Sequence, residues 1–195
     1  EQACSEAGVD LDAVQAELDA LAVAPLTGPV ADEVGALIGH IVSVHHTYLR
    51  RELPRLGELM VKVIAAHGTA HPEVHDMAAT LEELSADLLP HLLKEERVLF
   101  PLAIELLGAV EPTGLHGGSV TNPIRVMNSE HDRVGELLVT LRRQTGGYEP
   151  PEDACPTWRA LYAGCAEMEA DVHQHVHLEN NLLFPKIIGL EMSLG

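Results

Sequence analysis

The stretches DLLPHLLKEERVLFP, residues 87–101, and DVHQHVHLENNLLFP, residues 171–185, are in register over 15 residues. Asp87 and Asp171, His91 and His175, Glu95 and Glu179, Phe100 and Phe184, and Pro101 and Pro185 recur 84 residues apart. In a helix, positions i, i+4 and i+8 stand on one face, so each copy turns an Asp, a His and a Glu to the same side. Two facing helices of this kind offer a pair of imidazoles and a pair of carboxylates able to bridge metal ions. Imidazole and carboxylate without thiolate suit iron or manganese better than a structural zinc site. The alternative is a duplicated hairpin with a polar core, but buried unpaired Glu and His are costly, and a metal accounts for them better. The Phe–Pro pairs read as packing and helix-bending elements.

Outward from the repeat, helical spacing continues. Apolar residues from Val30 to about His67 predict a long helix with a bend at Pro54. A second is expected from near Pro72 to Gly108, with Pro90 and Pro101 as internal irregularities. The stretch 111–122 reads as a loop. A third helix opens at Pro123 behind Asn122 as cap and ends at GGYEPPED, and a fourth runs from near Asp153 to about Leu190. Four long helices with short connections predict an all-α, up-down-up-down four-helix bundle. Residues 9–22 carry a short extra helix, separated by a linker at about 23–29.

Helix rise selects the other candidate ligands. With the first turn near residues 68–71, His46 and His91 lie about 20 residues on either side of it, at similar height for a rise of ~1.5 Å per residue. His67, about 32 Å from His46 on that rise, belongs at the bundle end. Of the adjacent His45 and His46, ~100° apart around a helix, at most one is expected to face the core. His46 is favoured because it shares a stripe with Leu49, Leu53 and Leu56. On the third helix His131 is the only histidine and the default donor. Asp87, Glu130 and Asp171 are candidates to stand behind the ligands, because a ligating imidazole usually gives its other ring N–H to a carboxylate. His40, His45, His71, His75, His116, His173 and His177 read as surface or satisfied core residues, Cys155 and Cys165 as structural thiols, and Trp158 and Tyr162 as core.

Composition bounds the partners. The net charge of −18 repels phosphate backbones and anionic lipid, so neither nucleic acid nor membrane is expected as a partner. Only 3% of residues are aromatic against 46% hydrophobic, which favours a core of Leu, Val, Ala, Ile and Met on helices. Three cysteines without a CxxC pair indicate neither a disulfide framework nor a thiolate metal site. No apolar run is long enough for a bilayer span and no signal-peptide pattern opens the chain, so a cytoplasmic protein is expected. A start at Glu1 without Met is expected of a processed or truncated form of a longer chain.

The strings HHTYLRRELPRL (45–56), HLLKEERVLFP (91–101), MNSEHD (127–132), YEPPEDACPTWRALY (148–162) and HLENNLLFP (177–185) together resemble the Repair of Iron Centres family, hemerythrin-like di-iron proteins of nitrosative and oxidative stress defence. The resemblance covers about residues 30–190. It implies a carboxylate-bridged pair of non-haem iron ions on His46, His91, Glu95, His131, His175 and Glu179, with His131 resting most on it. It also implies damaged iron–sulfur proteins as clients repaired by iron donation, NO or O2 as small ligands, NO reduction to N2O in some members, and an electron donor that the sequence does not identify. Residues 3–18 resemble the tail of the family's small N-terminal domain, so residues 1–28 are assigned as its remnant plus linker and 29–195 as the bundle. The paired cysteines of that domain are missing here, and Pro90 directly before His91 is a second departure. A hemerythrin-like O2 or NO carrier or sensor is the competing reading, yet its HxxxH pattern meets Gly135 on the third helix, and the fourth helix reads HxxxE. Ferritin-like oxidases use Glu-x-x-His instead of the His-x-x-x-Glu found here.

Overall fold

The computed structural model describes residues 30–108 and 119–194, and among these residues apolar side chains at helical spacing wind the chain into four helical rods. The first rod is α1 (Val30–His40), a π-helical segment (Ile41–His46) and α2 (Thr47–His67). The second is α3 (Glu73–Lys94), a π segment (Glu95–Leu99) and α4 (Phe100–Gly108). The third is α5 (Thr121–Gln144), and the fourth joins α6 (Pro156–His177), a π segment (Leu178–Leu183) and α7 (Phe184–Leu194). Successive rods alternate in direction in a hemerythrin-like bundle, with α3 against α5 and α2 against both α3 and α6. Val34–Gly195 form one compact unit. The short helix expected over residues 9–22 and most of the expected loop lie outside the described residues.

The three π segments differ from the continuous α-helices that the spacing predicts. In each, a backbone N–H reaches back five residues: Thr47 to the Val42 carbonyl, Phe100 to Glu95 and Phe184 to Glu179. Pro101 and Pro185 follow the last two directly. A proline donates no N–H and crowds the carbonyl four residues back, and a widened turn relieves both demands. Pro54 and Pro90, by contrast, sit within α2 and α3 with helical assignment unbroken. Thr47 also caps the Val42 carbonyl with its hydroxyl at 3.1 Å.

Helix ends differ from expectation by a few residues. The fourth rod starts at Pro156 with Cys155 as its N-cap, because Asp153 is engaged outside the helix by His71 Nε2 at 2.9 Å. Gly146, Gly147 and Tyr148 all take positive φ in the turn before it. The strained Tyr148 is anchored by its hydroxyl, which donates to the buried Glu169 carboxylate. Gly164 lets α6 approach α2 closely, since a Cβ there would meet Leu56 Cδ2 at 2.7 Å.

Two apolar clusters fill the interior. One, around Leu49, Leu53, Leu84, Val134, Trp158 and Met168, lies toward the end with the first turn. The other gathers Ile41, Leu99, Phe100, Met127, Leu178 and Phe184. The candidate ligands lie where the two clusters meet along the rods, so the polar layer has hydrocarbon above and below it.

Candidate metal centre

His46, Glu95, His175 and Glu179 form one group of buried side chains whose donor atoms lie within 4.8 Å of one another. His91, Glu95, His131 and Glu179 form a second, so the two groups share both glutamates. The structure therefore brings all six candidate ligands together. Each histidine points Nε2 inward. His46 Nε2 is 3.3 Å from Glu95 Oε2, His91 Nε2 is 3.2 Å from Glu95 Oε1, His131 Nε2 is 3.1 Å from Glu179 Oε2, and His175 Nε2 is 3.2 Å from Glu179 Oε1.

Both oxygens of Glu95 and of Glu179, with Nε2 of His46 and of His175, are buried without a hydrogen-bond partner. Fully buried carboxylates in that condition are costly unless a cation meets them. Four imidazole nitrogens and two carboxylates converging on two points, with each carboxylate shared, fit a pair of hard or borderline metal ions.

The Nδ1 atoms look outward. His46 Nδ1 donates to Glu96 Oε1 at 2.7 Å, His91 Nδ1 to Glu130 Oε2 at 2.8 Å, and His131 Nδ1 to Asn180 Oδ1 at 3.0 Å. A ring whose Nδ1–H is held in this way presents the Nε2 lone pair inward, the tautomer a ligand needs. Arg50 backs Glu96 at 2.9 Å, and Lys94 pairs with Glu130. Phe100 lies flat against His46 and Phe184 against His131, which limits ring rotation.

These contacts perturb the titrating groups of the metal-free protein. Burial lowers the His46 and His91 imidazoles, but Glu95 together with Glu96 or Glu130 outweighs it, raising His46 and bringing His91 to about 9. Burial pushes Glu96 and Glu130 up, but Arg50 and His46 hold the first below its ordinary value, and Lys94 and His91 do the same for the second. Glu179 is likewise pushed up by burial and brought strongly down by His175 and His131.

Of the three acids expected behind the ligands, Glu130 stands there, on His91. Asp87 and Asp171 do not stand directly behind His91 and His175. Asp87 is half-buried and lies 3.7 Å from Arg133, and Asp171 Oδ1 accepts from His45 Nδ1 at 2.9 Å. Side chains tilt toward the helix N-terminus, so a short Asp one turn before a His ends too low to meet that ring. Residues on neighbouring rods reach it instead. Glu96 and Asn180 were not anticipated, although they occupy the same repeat position, directly after Glu95 and Glu179.

The expectation that only one of His45 and His46 faces inward is corrected: both are buried. The π segment that ends at His46 turns less per residue than an α-helix, so adjacent side chains can share the interior. His67 sits at the bundle end against Trp158, with ring centroids 4.9 Å apart. Trp158 and Tyr162 are buried, as expected.

The model of the hemerythrin HHE cation binding domain matches residues 37–187. The chain is 36% identical over 189 residues to the iron-sulfur cluster repair protein YtfE of Yersinia pseudotuberculosis serotype IB (strain PB1/+), covering 96% of this chain and 81% of that relative. The same figures hold for the YtfE protein of Yersinia pestis (strain Pestoides F).

Proposed function

This chain belongs to the Repair of Iron Centres family of hemerythrin-like proteins, and from that membership we propose that it holds two non-haem iron ions and donates iron to damaged iron–sulfur clusters. Glu95 and Glu179 would be shared between the two ions, with His46 and His175 holding one and His91 and His131 the other. The observation that carries this reading is the sharing of both buried glutamates between two four-donor groups. The similarity to relatives named for iron-sulfur cluster repair supports the choice of iron and of client. Residues 29–195 are assigned to this bundle and 1–28 to the tail of a smaller N-terminal domain, and the protein is placed in the cytoplasm. No helix among the described residues is long and apolar enough to cross a membrane.

Bound iron supplies redox chemistry and is itself the cargo of repair. The chain's residues hold it and decide how firmly. Three of the four rings are held from outside at Nδ1, and the apolar clusters on either side exclude bulk water, so the buried glutamates act in a medium of low dielectric. Glu96 and Glu130 are partly exposed, which makes the carboxylates behind His46 and His91 the solvent-facing edge of the centre.

Incubation of the iron-loaded protein with an iron–sulfur enzyme whose cluster has been damaged tests the proposal. Client activity is expected to return as iron leaves this chain, and repair with its iron retained would overturn donation. Substituting Glu95→Ala or Glu179→Ala is expected to abolish the paired centre, read as metal per chain.

A second reading, reduction of NO to N2O, is favoured by the donor count. Each group offers two nitrogens and two carboxylates, leaving coordination room for NO or O2 as in open catalytic sites. It requires two electrons, from the reduced centre or from a separate donor, and N2O formation during anaerobic NO consumption tests it. Reversible NO or O2 binding without turnover or repair would mark a carrier or sensor instead.

A further inference from the structure

Three of the four proposed ligand histidines have an acceptor for Nδ1, and His175 does not: its Nδ1 is buried and unpartnered. The internal repeat indicates where that acceptor should be. The residue after each shared glutamate, Glu96 or Asn180, holds the histidine of the first or third rod. The residue before the third-rod histidine, Glu130, holds His91 of the repeat. Its counterpart, directly before His46 on the first rod, is His45, and the repeat histidine left for it is His175.

His45 occupies that position. It is 1% exposed, and its ring lies nearly parallel to that of His175, at 12° with centroids 5.9 Å apart. Its Nδ1 is bonded to Asp171 Oδ1 at 2.9 Å. With Nδ1–H donating to a carboxylate, His45 Nε2 is left as an acceptor, whereas His175, if it ligates through Nε2, carries a donor at Nδ1. His45 Nε2, Asp171 Oδ2 and His175 Nδ1 are all buried and without partners. One water accepting from His175 Nδ1–H and donating to His45 Nε2 would satisfy both rings, with the Asp171 Oδ1 contact fixing which His45 nitrogen is left to accept.

We propose that His45 and Asp171 are positioning residues for His175, joined to its Nδ1 through one buried water, and that they set the affinity of the metal site formed by His46 and His175. This rests on the paired metal centre proposed above. It also gives the two sites different supports. His91 is held directly by a carboxylate, whereas His175 is held by an imidazole whose orientation Asp171 dictates.

Anaerobic titration of the metal-free protein with Fe2+ tests it on wild type, His45→Leu, Asp171→Leu and His45→Gln. Loss of such a support typically weakens a metal site about 10–100-fold. In both Leu variants one equivalent of iron is expected to bind as in wild type and the other with affinity reduced by that factor. His45→Gln can face Asp171 with its amide N–H and the water with its oxygen, and is expected to restore the second equivalent. Circular dichroism, with the retained first equivalent, confirms that the variants fold. Two wild-type affinities in folded His45→Leu would overturn the inference, as would a His45→Gln variant no better than His45→Leu. Absence of iron binding in wild type would instead overturn the metal centre on which it rests.

Discussion

Cys155 and Cys165 stand in opposite environments although ten residues apart on the same stretch of chain. At the N-cap of α6 the Trp158 backbone N–H, the largest influence, and the His67 side chain bring the Cys155 thiol down to about 7, whereas burial pushes Cys165 up to about 12. Iodoacetamide at neutral pH is therefore expected to label Cys155 well before Cys165, as resolved by peptide mass spectrometry, and equal labelling of the folded protein would contradict these environments. Neither difference is visible in the sequence, where both read as structural thiols, because the cause is a helix terminus and a histidine from another rod. The same limit applies to His45. Its neighbour His46 was legible from the stripe with Leu49, Leu53 and Leu56, but burial of both rings depends on a local change of helical pitch.

At the scale of elements, Phe100–Pro101 and Phe184–Pro185 were visible as a repeated helix-bending signal, and the structure gives them a position. Each proline follows a π segment beginning at, or one residue before, a shared glutamate. Replacing Pro185 with Ala supplies the missing N–H and removes the ring's crowding, so the turn can return to α-helical hydrogen bonding and rotate Glu179 relative to His175. Pro185→Ala is expected to leave the metal-free protein at least as thermally stable as wild type, since proline in a helix interior disfavours it by about 3 kcal/mol relative to Ala. Its iron affinity is expected to fall. Unchanged affinity would show that the widened turn does not depend on the proline. Hydrophobic periodicity could not locate the π segments, because one additional residue per turn over five or six residues barely alters the apolar pattern.

For the whole molecule, stability and metal binding are coupled. Buried Glu95 and Glu179 lie among four imidazoles at the level between the two apolar clusters, so chelation is expected to lower the melting temperature and excess Fe2+ to raise it. The increment should grow as RT ln(1 + [L]/Kd), and a melting temperature indifferent to iron would contradict the site. In the metal-free protein, His91 is raised to about 9, so its contribution is whole below the ordinary value of 6.5 and is lost as pH rises through about 9. Glu96 and Glu130 are lowered, so theirs is whole above the ordinary value of 4.5 and is lost as pH falls through their depressed values. Thermal melts of the metal-free protein should therefore show greatest stability between about pH 5 and 6.5, with iron uptake at neutral pH releasing protons. The sequence alone determined the helical class, the alternating bundle and, apart from His131, which rested most on family resemblance, the candidate ligands, because helix periodicity and a repeat 84 residues apart are local regularities that rise and rotation convert directly into height and face. What only the tertiary structure decided is which atoms hold those ligands from behind: Glu96, Glu130, Asn180 and the His45–Asp171 pair. They act across rods, and contacts across rods depend on pitch, tilt and side-chain reach, which no spacing along one helix encodes.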